Sequence, residues 1–77
     1  MNMKSLFISI HGSIVSKEGK KITQEEMAKR IHCSAGTYQK YIQGTLNPKA
    51  VNNIMCLLSM MDDADIVKIV KKWKENC

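Results

Sequence analysis

Residues Thr23 to Gly44 read TQEEMAKRIHCSAGTYQKYIQG, and two helix starts can be recognised inside this one stretch. Thr23 is a good N-cap residue, and Glu26 three positions on completes a capping box. Ile22 and Met27 flank that cap at the spacing of a hydrophobic staple, which sets the angle at which the chain enters the helix. Ser34 repeats the capping role, with Cys33 and Tyr38 at staple spacing. In the first helix Met27, Ala28 and Ile31 share one apolar face. In the second, Tyr38 and Tyr41 share a face while Ala35, Gly36, Gln39, Lys40 and Gln43 point elsewhere. Gly44 supplies the stop. The stretch therefore predicts two short helices, about 24–31 and 35–43, joined by a tight turn.

Upstream, Met3, Leu6, Phe7, Ile10 and Ile14 recur at helical spacing and predict an amphipathic helix over about 3–16, capped by Asn2. Ser16 to Lys21 then forms a polar turn around Gly19. The glycines at 12 and 19 with Lys20 do not make a phosphate loop, because their spacing is wrong and no Ser or Thr follows the first lysine. Downstream, Thr45-Leu46 is a short loop. Asn47 is placed to cap a helix with Pro48 at its first position, where a missing N–H costs nothing. Ala50, Val51, Ile54, Leu57, Leu58 and Met61 give that helix, about 48–61, a strongly apolar character expected of a buried bundle centre. Asp63 is placed to cap a last helix, about 64–75, with a stripe of Ile66, Ile69, Val70 and Trp73 and lysines toward its C-terminus. The expectation is an all-α protein: one compact five-helix domain over residues 1–77.

Composition agrees with that class. Of the 77 residues, 44% are hydrophobic but only 5% aromatic, so the core is aliphatic and methionine-rich, and a chain this short sits near the lower limit for a core that stands without staples. Net charge is +5. Residues 1–22 contribute +3, residues 23–61 contribute +2, and residues 62–77 balance at zero. The positive excess thus lies in and just before the two-helix stretch, which favours an anionic partner such as nucleic acid. Three cysteines without Cys-x-x-Cys spacing argue against a disulfide framework. Cys33 and Cys56 are expected to be small core or semi-core residues and Cys77 an exposed thiol. The longest apolar run, Ile54 to Leu58, is far too short to span a bilayer, and the opening residues lack a cleavage signal, so a cytoplasmic protein is expected. His11 and His32 lack metal-ligand spacing, and Glu25 and Glu26 are explained by the helix start. No catalytic residue, metal or cofactor is expected, and no small-molecule ligand.

Two capped helices one turn apart are what a helix-turn-helix DNA reader requires. The series Ile22-Thr-Gln-Glu-Glu-Met-Ala28, then Cys33-Ser34, Thr37-Tyr-Gln-Lys-Tyr41, Gly44 and Asn47-Pro48 resembles the lambda-repressor/Cro-like helix-turn-helix family over about residues 22 to 61. The resemblance implies a second helix lying in the major groove of double-stranded DNA, with Ala35, Gly36, Gln39 and Lys40 facing the bases. Gln39 can pair bidentately with adenine, and Lys40 can reach guanine O6 and N7. It also implies phosphate contacts from Gln24, Ser34, Thr37 and Gln43, while Lys20, Lys21 and Lys49 are phosphate partners by charge and position. The sequence departs from the family at His32, where glycine is usual. It departs again at Ile42, where a frequent glutamate and its ion pair to the first helix are missing, and at Tyr38, whose hydroxyl needs an outlet.

The expected function is transcriptional repression by a homodimer on a palindromic operator, of the kind found in phage and plasmid regulators. The stripe Ile66, Ile69, Val70 and Trp73 either forms the dimer interface or closes the core. The alternative is a protein-binding module on the same fold, such as an antitoxin or phage-encoded inhibitor, which would not read DNA specifically.

Overall fold

The computed structural model describes residues 1–76; the expectation for Cys77 lies outside them. Five helices run in order: α1 (Met3–Glu18), α2 (Gln24–Arg30), α3 (Ala35–Gln43), α4 (Lys49–Leu58) and α5 (Asp63–Glu75), with no strand among the described residues. The chain divides into two compact units, Met1–Asn47 and Pro48–Cys77.

In the first unit α3 packs on both α2 and α1. The core is Ile22, Met27, Ala28 and Tyr38, each at most 4% exposed, with Ile14, Val15, Cys33, Tyr41 and Ile42 packed around it. Ile22 and Met27, the staple pair, are both in it. Thr23 Oγ1 accepts from the Glu26 N–H at 3.1 Å, so half of the capping box forms. The Glu26 carboxylate does not return to the cap; it lies 3.4 Å from Arg30 one turn on.

Both helices of the central stretch end in the same way. The Cys33 N–H reaches the Ala28 carbonyl and the His32 N–H that of Lys29, at 3.0 and 3.2 Å. Thr45 and Gly44 repeat this on Lys40 and Tyr41. These are Schellman closures, which need a left-handed residue just past the helix. His32 takes that role with φ 60°, as its place in the turn predicts, and Gly44 with φ 80°. A Cβ on Gly44 would also sit 3.1 Å from Lys4 Cβ, so the Lys4 side chain would have to give by a few tenths of an ångström in addition to the strain of the positive φ.

α1 departs from expectation in length and in facing. It continues past Ser16 to Glu18, where Gly19 at φ 68° closes it with its N–H on the Val15 carbonyl. Its inward face is rotated relative to the predicted stripe: Ile10 is 49% exposed, whereas Val15 packs on the core and His11 turns inward. The extra turn places Glu18 against Arg30, which bridges to both carboxylate oxygens, the Nη2–Oε1 contact at 2.9 Å. The hydrogen bond from Arg30, followed by its charge, holds the Glu18 carboxyl below its ordinary range, and the guanidinium is raised in turn. A carboxyl with a depressed folded-state pKa adds stability above its unfolded value and loses it as pH falls through the folded one. Acidification below the usual carboxylate range, about pH 4, should therefore lower the Tm of the parent more than that of Glu18→Gln. Parallel Tm curves for the two proteins would show that the bridge contributes nothing.

In the second unit, α4 begins one residue later than predicted. Pro48 itself is the cap residue, without a side-chain bond, so Asn47 does not cap; the helix stops at Leu58. Asp62, and not Asp63, precedes α5, again without a side-chain cap bond. Contrary to the expected buried centre, no residue of α4 is buried. Ile54, Leu57 and Cys56 are exposed. The stripe of α5 is open as well: Trp73 is 70% exposed, and Ile69 and Val70 are nearly half exposed.

Candidate nucleic-acid interface

α3 is held from behind by two aromatic side chains. Tyr41 stacks on Phe7 of α1 with ring centroids 4.7 Å apart and planes 11° apart. Tyr38, 3% exposed, places its hydroxyl 2.8 Å from His11 Nδ1. His11 Nε2 lies 2.9 Å from the Ile22 carbonyl oxygen. A carbonyl only accepts, so Nε2 carries the proton there and Nδ1 is left to accept from the Tyr38 O–H. One imidazole thereby ties α1 to the entry of α2 and to the inward face of α3. This is the outlet the Tyr38 hydroxyl needs. Burial, with Cys33 adding in the same direction, pushes the Tyr38 phenol above its ordinary pKa. The hydroxyl therefore stays protonated and able to donate.

His11 is the residue that sequence reasoning missed. A signal was present: it lies four residues from Phe7 and three from Ile14, on the edge of an apolar stripe. A polar ring is tolerated there because both nitrogens are satisfied.

With Tyr38 and Tyr41 inward, the opposite side of α3 faces out. At about 100° per residue, Ala35, Gly36, Gln39, Lys40 and Gln43 fall on one continuous arc, and all five are exposed. The arc is flat at its N-terminal end, where Ala35 and Gly36 add almost no side chain, and polar toward its C-terminal end. Nothing lies within 4 Å of where a Gly36 Cβ would be, so this glycine is not demanded by packing within the chain.

The cap arranges two hydroxyls at the start of α3. Ser34 Oγ accepts from the Thr37 N–H at 3.1 Å and donates to Thr37 Oγ1 at 2.8 Å. The Ser34 donor is thus spent inside the chain, while the Thr37 O–H is left for an outside acceptor. Of the two, Thr37 is the better phosphate donor. Gln24 is exposed at the first position of α2, directly after the exposed Lys20 and Lys21 segment, and Gln43 is exposed at the end of α3. The first unit therefore carries all four expected base-facing residues and all the expected phosphate partners except Lys49, which is exposed at the first position of α4 in the second unit.

No group of metal-ligating side chains gathers among the described residues, and no helix among them is long and apolar enough to cross a membrane. Compared with protein-family models, with curated proteins and with solved structures, the chain finds no match.

Proposed function

We propose that this chain is a sequence-specific double-stranded DNA-binding protein that inserts α3 into the major groove and represses transcription as a dimer on an inverted repeat. The observation carrying the proposal is the exposed arc of α3. It is small where a helix must approach base edges, polar where it must read them, and backed by the Tyr38–His11 and Tyr41–Phe7 contacts that fix its orientation. The positive charge of residues 1–61 supplies the phosphate attraction. Direct readout rests on Gln39 and Lys40, because Ala35 can meet only a thymine methyl.

The test is a gel shift across a salt series, using promoter DNA from the protein's own locus against random DNA. Steep salt dependence with clear preference for the promoter supports the reading. Equal affinity for both DNAs, or none, rejects it in favour of a protein-binding module on this fold. Within the DNA reading, Gln39→Ala should relax specificity at one base pair, by about 1–3 kcal/mol of discrimination. Lys49→Ala should weaken every sequence alike and reduce the salt slope by about one. If both variants bind promoter and random DNA as the parent does, α3 is not the reading helix.

A further inference from the structure

The geometry points to Lys4 of α1 as a further phosphate contact, its ammonium extending the cationic edge of α3 by one more backbone position beyond the C-terminal end of that helix. The inference rests on the DNA reading above and deepens it, adding α1 to the elements that meet the DNA backbone.

The first observation is how Lys4 is held. Lys4 lies on Gly44, Phe7 on Tyr41 and His11 on Tyr38. Ascending order along α1 thus meets descending order along α3, so the two helices run antiparallel and touch at intervals of about one turn. At the first of these rungs Lys4 Cβ, Cδ and Cγ lie 3.1, 3.3 and 3.5 Å from where a Gly44 Cβ would stand. The lysine stem therefore runs across the bare backbone of the glycine, and its charged head projects past it. Only Cε and the ammonium extend beyond Cδ, so the packed stem places the charge at the exit of α3, beside Gln43. Part of the rotamer freedom that a phosphate contact costs has already been given up on folding.

The second observation is what surrounds the charge. Thr37, Lys40 and Gly44 stand at i, i+3 and i+7, a single row along α3. The row follows the edge of the exposed arc that borders α1. With Lys4 laid over Gly44, it carries the spare Thr37 O–H and two ammonium groups over about 10 Å. No carboxylate of the first unit answers them. Its acids are Glu18, Glu25 and Glu26. Arg30 holds Glu18 and Glu26, and Lys4 pairs with none of the three. Glu18 stands fourteen residues, about 21 Å, along α1 from Lys4. A fixed row of donors and cations without an anion of its own is the electrostatic complement of a phosphate strand.

Gel shifts of the full chain test this through Lys4→Met, which keeps a stem over Gly44 and removes the charge. The probes are promoter DNA from the protein's own locus and a random duplex of equal length. The variant should bind both DNAs more weakly by the same factor, with a salt slope lower by about one per bound copy. Its deficit against the parent should therefore shrink by about three- to fourfold per bound copy between about 50 and 200 mM salt. Lys4→Arg should restore both affinity and slope. A Lys4→Met variant that binds and responds to salt as the parent does overturns the contact and leaves the DNA reading standing. Weaker binding with an unchanged slope and a lower Tm also overturns it, assigning the ammonium to the last carbonyls of α3 instead. A loss confined to the promoter overturns it as well, since a phosphate contact carries no sequence preference. A parent that binds neither DNA removes the contact together with the reading it rests on, so the parent alone tells the two failures apart.

Discussion

Tyr38→Ala is expected to unfold the first unit, or to leave it unfolded in a large fraction of molecules at room temperature. The core of this unit has four buried side chains, and Tyr38 is the only aromatic among them. Truncating a buried aromatic residue to alanine costs about 3–5 kcal/mol, and a core this small supplies on the order of 3–5 kcal/mol in total. The loss therefore approaches the whole stability of the unit. Tyr38→Phe separates the two contributions of the side chain. It keeps the ring in the core but removes the donor to His11 Nδ1, leaving a partly buried acceptor unpaired at a cost of about 1–3 kcal/mol. Urea unfolding followed by far-UV circular dichroism should rank parent, Tyr38→Phe and Tyr38→Ala in that order. If Tyr38→Ala unfolds at the same urea concentration as the parent, α3 is not held by this residue.

Gly36→Glu is expected to raise stability and abolish DNA binding together. A Cβ at Gly36 meets nothing. Replacing a helical glycine by a good helix former gains up to about 1 kcal/mol. The first turn of α3 contains no acidic residue, so a carboxylate there interacts favourably with the helix N-terminus, by about 0.3–1 kcal/mol. Against DNA the same carboxylate stands at the flat end of the exposed arc, where it meets the negative potential of the groove and displaces the helix from the bases. Affinity should fall by about 100-fold or more, on the scale of like-charge juxtaposition at an interface, while the midpoint of thermal unfolding rises. Retained specific binding by this variant would show that the N-terminal end of α3 does not enter the groove.

These two residues also show what was readable in the chain. The five helices, and most of their ends, follow from local signals. Thr23 and Ser34 cap within three residues of themselves, and His32 and Gly44 close their helices within five. Such contacts depend on near neighbours, so sequence spacing specifies them. Errors fell where a local signal had a competitor. The Glu26 carboxylate had a cation one turn away and left the capping box half made. Asn47 yielded the cap position to Pro48. The exposed arc of α3 was likewise legible, because Tyr38 and Tyr41 must go inward and the helical period sends the other five residues out.

The sequence by itself determined the all-helical class, the two capped helices with their tight turn, and the set of side chains that α3 presents to its surroundings. Only the tertiary structure decided which way α1 faces. Its apolar residues span too much of the helix circumference to choose one side, and the choice was made by His11, whose partners at Ile22 and Tyr38 lie 11 and 27 residues away. The tertiary structure also decided that α4 and α5 bury no residue between themselves. A stripe of Ile, Val and Trp records that a surface must be covered; only the arrangement of the chain in space determines whether the chain covers it.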